Sequence, residues 1–167
     1  MKTIKLLILI ILPFGMINCE KDETLVSNEG LVFQMYNRES ENDKTSFTIV
    51  QYEEIIGYDS LKYAFKLKKS AWDRLEKKVA PVVPDPNFGF FVVLNNEFVY
   101  KTTYIQPYSS WARRDIMTFR LKRPNLVIIE LGYPAVLKNE FTGEDLRNTL
   151  RLIEQLRKDN KLIEIEL

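Results

Sequence analysis

The chain of 167 residues contains no histidine and only one cysteine. Without histidine it lacks the commonest general base, the His-dependent catalytic triads and most kinds of zinc site. A single cysteine also cannot form a disulfide within the chain. An enzyme of this sequence would have to use carboxylates, lysine, serine or tyrosine. We therefore predict a non-enzymatic protein with no catalytic residues, no metal site and no cofactor.

An excess of charge of either sign is absent as well. The chain has 24 Lys and Arg against 23 Asp and Glu, a formal net charge of +1. Such a balance produces no field strong enough to gather nucleic acid over the whole surface, so we predict no nucleic-acid partner. With 46% hydrophobic and 28% charged residues, the composition is that of one ordinary globular domain.

A hydrophobic run long enough to span a bilayer is also missing. The apolar run from Leu6 to Leu12 follows Lys2 and Lys5 and is broken by Pro13. It is well short of the roughly 20 residues that a spanning helix needs. A positive region followed by a short apolar region is typical of a cleaved signal peptide. The alternative is a short buried helix at the N-terminus.

The only cysteine stands directly after this run, in Met16-Ile17-Asn18-Cys19. This arrangement resembles a bacterial lipoprotein signal of the Bacteroidota type, in which the cysteine receives a diacylglyceryl group and becomes the first mature residue. The resemblance implies that acyl chains such as palmitate on Cys19 make the membrane a partner of the protein. Two or three such chains, at about 0.8 kcal/mol per buried methylene, anchor a protein stably.

The resemblance also implies an outer-membrane lipoprotein of the cell envelope. The next residues, 20–23 (Glu-Lys-Asp-Glu), resemble a tag that directs some of these lipoproteins to the cell surface. Since a solvated charged tether would have the same composition, the periplasmic and surface-exposed faces both stay open. The predicted domains are a signal peptide at 1–18, the lipidated cysteine and tether at 19–29, and one globular domain at 30–167.

Hydrophobic periodicity predicts the elements of that domain. Alternating or continuous apolar residues indicate strands at 31–36, 47–50, 62–67, 90–94, 97–105, 116–121 and 126–131, with turns at 58–60 and at Asn95-Asn96. One helix follows Ser70 and buries Ala71, Trp72, Leu75 and Val79. A second helix follows Thr142 and buries Leu146, Leu150, Ile153 and Leu156. A last strand is expected where Ile163, Ile165 and Leu167 alternate with glutamates.

The order of these elements predicts an α+β fold, a mainly antiparallel sheet with two helices packed on one side. From about Tyr58 onward, the segment order, the apolar run Phe90 to Leu94 and the residues Phe141, Thr142 and Glu144 resemble the periplasmic head subdomain of the SecD component of the protein-export machinery. This resemblance covers about half of the chain and implies a similar fold only. Because the transmembrane helices of SecD are absent, it implies no translocation activity.

Acidic side chains provide few candidates for chemistry. A glycosidase needs two carboxylates that face each other across a cleft, whereas Glu53-Glu54 and Glu144-Asp145 are adjacent pairs whose side chains point in different directions. Glu39, Glu41 and Asp43 alternate as calcium ligands do, but the glycine that the turn of a calcium loop requires is missing. We predict a solvated loop there and keep a carboxylate-based hydrolase as the least favoured alternative.

The segment 104–114 (YIQPYSSWARR) has the most unusual composition. Tyr, Trp and Arg dominate binding hot spots because they offer rigid surfaces with a polar or charged handle, and paired arginines suit carboxylates or phosphates. The candidate binding residues are Tyr104, Tyr108, Trp111, Arg113 and Arg114. The alternative is structural, with Tyr108 and Trp111 folded over the open end of the core and serines in a turn.

These observations predict a lipid-anchored cell-envelope domain that binds a protein or another envelope component. A surface glycan-binding module is the first alternative, and it requires an exposed aromatic platform. A protein-binding module would instead favour a wider apolar patch with arginine at its rim. The sequence predicts neither the identity of the ligand nor the oligomeric state.

Overall fold

The computed structural model describes residues 30–36, 47–79, 88–106 and 109–166. Eight strands are β1 (Leu31–Tyr36), β2 (Phe47–Val50), β3 (Ile55–Asp59), β4 (Ala64–Leu67), β5 (Gly89–Leu94), β6 (Glu97–Tyr104), β7 (Arg113–Lys122) and β8 (Leu126–Tyr133). The helices are α1 (Lys69–Val79) and α2 (Leu150–Lys158), with short 3₁₀ helices at Tyr52–Glu54 and Ala135–Glu140. None of the described helices is long and apolar enough to cross a membrane.

All eight strands form one sheet in the order β2-β1-β5-β6-β7-β8-β4-β3. Neighbouring strands are antiparallel except β6 and β7, which are parallel. The predicted α+β class with a mainly antiparallel sheet is therefore confirmed.

Both helices pack on the same face of this sheet. Trp72 and Leu75 from α1 and Leu152 and Leu156 from α2 join one buried cluster with the strand residues. The middle of the cluster is aromatic: the Phe90 ring lies 4.5 Å from that of Phe33 and 4.6 Å from that of Phe119. Offset aromatic pairs at these distances stabilise a core beyond the area that they bury. The predicted packing of the two helices is confirmed.

The predicted hairpin between β5 and β6 is also confirmed. Asn95 and Asn96 have φ values of 50° and 63°. Positive φ at both central residues is typical of the tight turn whose twist matches that of the flanking strands.

The predicted start of the second helix is wrong. The helix begins at Leu150, eight residues after Thr142, and the segment between them is irregular. Asp145, which would fit the first turn of a helix, instead accepts hydrogen bonds from the backbone N–H and the guanidinium of Arg147. A side chain that bonds its own neighbouring backbone in this way competes with helix formation. Leu150 is consequently exposed, not buried.

Two other predictions fail near the C-terminus and in the turn at 58–60. Tyr58 and Asp59 end β3, so the turn comes after them. The expected C-terminal strand is reduced to one parallel bridge between Tyr58 and Leu162. Ile165 is nevertheless buried, because the C-terminal segment covers the face of β4 and β8 that the helices leave open.

The first described residue, Gly30, lies beside the β5–β6 turn. Its N–H donates to Oδ1 of Asn95 at 2.7 Å, and its carbonyl accepts from the N–H of Asn95 at 2.9 Å. The strand register puts the starts of β6 and β7 and the end of β8 at this same end of the sheet. We call it the tether end, because the predicted tether joins the domain there.

Candidate functional site

The parallel strands β6 and β7 form a fork that opens toward the tether end. Among the described residues they pair only at Thr103 with Thr118 and at Tyr104 with Phe119. Nearer the tether end, a cleft of about 370 Å³ lies between them. Ligand pockets in proteins start at about this size.

The walls of the cleft combine apolar side chains with the charged side chains of Lys101, Arg113, Asp115 and Glu144. Phe98 stands on the β6 side, Ile116 and Met117 on the β7 side, and Phe141 and Leu146 come from the irregular segment before α2. The Phe98 side chain is 57% exposed, although it belongs to a sheet strand. A cavity with several apolar side chains and an exposed aromatic ring in its wall is suited to an apolar group of a ligand.

The segment that closes the cleft is bonded to β7. The N–H of Thr142 donates to the carbonyl of Arg114 at 2.8 Å, and the Thr142 hydroxyl donates to the same oxygen at 3.3 Å. The two residues that resemble a helix start in the sequence, Thr142 and Glu144, therefore belong to the cleft region. Glu144 itself lines the cleft.

Tyr100 contributes a buried polar group beside the cleft. Its side chain is fully buried, and its hydroxyl forms no hydrogen bond within the described residues. Burial raises the pKa of this hydroxyl, and the positive charge of Arg147 opposes the shift only in part. The group therefore stays protonated and able to donate.

The two predicted arginines lie on the β7 side and are both paired with acids. Arg113, which lines the cleft, holds Asp115 through two bonds of 2.8 Å from Nε and Nη2. This bidentate contact lowers the pKa of the Asp115 carboxyl and raises that of the Arg113 guanidinium. Arg114 pairs with Glu140 at 2.9 Å. An anionic ligand would have to displace these carboxylates.

The predicted aromatic residues occupy different environments. Tyr104 is half-buried and packs on Phe88 and Phe119, at ring distances of 6.5 and 5.4 Å, and burial raises the pKa of its hydroxyl. Trp111 is 37% exposed, and its backbone N–H donates to the Ser109 hydroxyl at 3.2 Å. Tyr104 thus packs at the edge of the hydrophobic core, whereas Trp111 is exposed to solvent.

The remaining predicted site residues, Tyr108 and Cys19, lie outside the described residues, as does the acidic loop with Glu39, Glu41 and Asp43. Within the described ranges, no group of acidic, cysteine or histidine side chains could hold a metal ion.

The carboxylate pairs are engaged in structural contacts. Glu54 caps the N–H of Gln51 and pairs with Arg74 at 2.5 Å; burial alone would raise its pKa, but these contacts lower it. Asp145 is held by Arg147, which lowers its pKa. Asp115 and Glu144 both line the cleft, but a general acid needs a raised pKa and Asp115 has the opposite shift.

The fold and the site define the class of this protein: an α+β domain with an eight-stranded sheet and a cleft in a fork between two parallel strands. No family model, curated protein or solved structure matches the chain. The likeness to SecD and to Bacteroidota-type lipoproteins therefore stays a prediction.

The sequence analysis missed the cleft residues Phe98, Tyr100, Ile116 and Phe141. In the sequence, Phe98 and Ile116 are part of the apolar patterns that predict two strands. Nothing in these patterns indicates that β6 and β7 separate. The fork forms because β6 and β7 are parallel and pair at only two positions among the described residues. This short pairing is visible only in the strand register.

Proposed function

We propose that this chain is a lipid-anchored lipoprotein of the cell envelope and that its domain acts by binding an envelope component, not by catalysis. The binding surface lies at the tether end. It consists of the cleft together with Trp111, Arg113 and Arg114 beside it.

One observation supports this proposal most strongly: Phe98, Ile116, Met117, Phe141 and Leu146 give the cleft an apolar part, and Arg113 lies on its wall. An apolar patch bordered by arginine is the pattern that favours a macromolecular partner with apolar groups. Arg113 and Arg114 are each paired with a carboxylate, and Lys101 and Glu144 add one charge of each sign to the lining. We therefore expect apolar contact to be the principal attraction there.

A glycan is the second candidate ligand, and the exposed side chain of Trp111 is the observation that favours it. A sugar platform needs accessible aromatic faces, and Tyr104 uses its ring to pack on Phe88 and Phe119. Only one exposed aromatic ring favours a glycan, whereas several apolar side chains in the cleft favour a partner with apolar groups. We therefore rank the glycan second.

The lipid anchor is tested by the mass of the mature protein. We expect an N-terminal peptide beginning at Cys19 and carrying acyl chains, and we expect Cys19→Ser to abolish both cleavage and acylation. An unmodified Cys19 in mature protein from envelope fractions would disprove the anchor.

The binding surface is tested with a photo-reactive phenylalanine analogue at Ile116 in intact cells. We expect adducts at this position, fewer adducts when Trp111→Ala is added, and none from the same analogue at Ile56, which is exposed at the opposite end of the sheet. Digestion of the adducts distinguishes a protein, a glycan and a lipid. Equal labelling at both positions would show that the cleft is not the binding surface.

A further inference from the structure

Exposed large apolar side chains are concentrated at the tether end. Of the seven among the described residues, Phe47 and Ile56 lie toward the opposite end of the sheet, where β1 ends and β8 begins. The other five are Leu61, Phe98, Trp111, Val136 and Leu150. Leu61, Val136 and Leu150 are 85%, 79% and 72% exposed. Single exposed apolar residues are ordinary, but a group of them at one end marks an interaction surface.

Hydrogen bonds hold these residues near one another. Arg151, the neighbour of Leu150, bonds the carbonyl of Phe98 and the carboxylate of Glu97. The side chain of Asn148 donates at 3.0 Å to the carbonyl of Ser60, the neighbour of Leu61. The backbone next to Leu61 and the backbone of Phe98 are therefore both bonded to residues at the start of α2, where Leu150 lies.

A second set of contacts joins the other two residues to this surface. Arg114, three residues after Trp111, pairs with Glu140 of the 3₁₀ helix that carries Val136. Phe98 and Arg113 both line the cleft. The five apolar residues thus belong to segments that are bonded to one another at the tether end, and we call this set the apolar rim.

The length of the chain that precedes Gly30 limits the distance between the tether end and an anchor on Cys19. Residues 19–29 connect Cys19 to Gly30, and even a fully extended chain of this length spans no more than about 40 Å. A flexible chain of this length has a typical end-to-end distance of roughly 18 Å. Because Gly30 is bonded to Asn95 at the tether end, an anchor on Cys19 keeps that end close to the bilayer.

We propose that the apolar rim docks on the phospholipid bilayer itself and inserts its side chains into the interfacial region. This proposal rests on the proposed lipid anchor and names the envelope component that the tether-end surface binds. Leucine, phenylalanine and tryptophan side chains at such depth are stabilised by the area they remove from water. Arg113, Arg114 and Arg151 are each paired with a carboxylate, so docking depends on apolar contact and only weakly on salt.

Trp111 is the natural reporter, because the other tryptophan, Trp72, is buried in the core. The experiment uses the full mature lipoprotein anchored by its own acyl chains in vesicles of phosphatidylethanolamine and phosphatidylglycerol, with or without brominated acyl chains. We expect the Trp111 emission to shift to the blue and to be quenched by the brominated lipid. Trp111→Phe should remove the quenched component and leave the emission of Trp72.

The double variant Leu61→Ser/Leu150→Ser should reduce the quenching at least about twofold, because the two most protruding leucines no longer favour insertion. Ile56→Ser, which removes exposed apolar surface at the opposite end, is the matched control and should leave the quenching unchanged.

Anchored protein without quenching, or equal quenching in the double variant and the control, would overturn the docking proposal and leave the anchor standing. Protein adducts at Ile116 together with unquenched Trp111 would assign the apolar rim to a protein partner instead. A mature protein that carries no acyl chains would overturn the anchor and the docking proposal together.

Discussion

Asp59 shows at the scale of one residue how a buried charge can be stabilised. Its carboxylate is almost fully buried and accepts from the N–H groups of Leu61, Lys62 and Ile165 at 2.9 to 3.0 Å, and from Nζ of Lys62 at 3.2 Å. Burial alone would raise its pKa, but these donors outweigh burial and lower the pKa. We expect Asp59→Asn to lower the free energy of unfolding by about 2 kcal/mol at neutral pH, measured by urea denaturation.

The pH dependence of this contribution has a defined sign. Because the folded pKa is depressed, the stabilisation by Asp59 is fully present above the ordinary aspartate pKa of about 3.9 and is lost as the pH falls through the folded value. The difference in stability between the native chain and Asp59→Asn should therefore shrink below pH ~4. Asp73→Asn, at an exposed ion pair with Lys69, is the control. A constant difference down to low pH would contradict this assignment.

At the scale of an element, the irregular segment between β8 and α2 depends on Arg147. This side chain is buried, donates to both carboxylate oxygens of Asp145 at 2.8 and 2.7 Å, and lies 3.4 Å from the ring centroid of Tyr63. Arg147→Ala would remove the donor pair that shapes the segment and the stacking contact on Tyr63. We expect a loss of about 3 kcal/mol in the free energy of unfolding.

Arg151→Ala is the matched control for this prediction. Arg151 pairs with Glu97 at 2.5 Å, but both side chains are exposed, so its loss should cost less than about 1 kcal/mol. The difference should be visible in urea denaturation curves of the two variants. Equal losses would mean that Arg147 does not organise the segment.

At the scale of the whole molecule, the part of the sheet formed by β4 and β8 is covered on its two faces by different parts of the chain. Ile163 and Ile165 pack on Ala64, Leu126 and Ile128, on the face opposite the helices. Deleting residues 162–167 would expose this second cluster and remove the N–H of Ile165 from Asp59. We expect unfolding to require about 4 kcal/mol less, from the lost burial of two isoleucines and one hydrogen bond to a charged group.

The control for the deletion is Glu166→Ala, since Glu166 is exposed. It should change the urea midpoint by less than the equivalent of about 0.5 kcal/mol. If the deletion were equally mild, the C-terminal segment would not stabilise the second face of the sheet.

Much of the fold could be predicted because its signals are local. The alternation in Leu31–Tyr36, the paired asparagines and the helical spacing of Ala71, Trp72, Leu75 and Val79 all correspond to elements of the structure. The start of α2 could not be predicted, because the acids after Thr142 have two uses. Asp145 could stabilise a helix N-terminus or bind Arg147, and the choice depends on Ile129 and Tyr63, whose contacts with Arg147 come from distant parts of the chain.

The candidate site was predictable only in part. The composition of residues 104–114 suggested either a binding surface or a segment folded over the core; Arg113 lines the cleft, and Trp111, two residues before it, is exposed. The cleft itself required the partial separation of β6 and β7, which is a property of the register and not of either strand. Tyr104 and Trp111 belong to the same aromatic segment and were predicted for the same reason. Tyr104, however, packs on Phe119 at the edge of the hydrophobic core.

By itself the sequence determined the absence of histidine chemistry and the α+β order of elements, because each depends on residue types or on spacing along the chain, and on the same basis it predicts the leader and the cysteine anchor. Only the tertiary structure decided where the cleft lies, which carboxylates are paired and that five of the seven exposed large apolar residues in the described part of the chain share one end. These properties depend on which distant segments meet. Long-range packing determines that choice, and the local pattern in each segment is compatible with more than one partner.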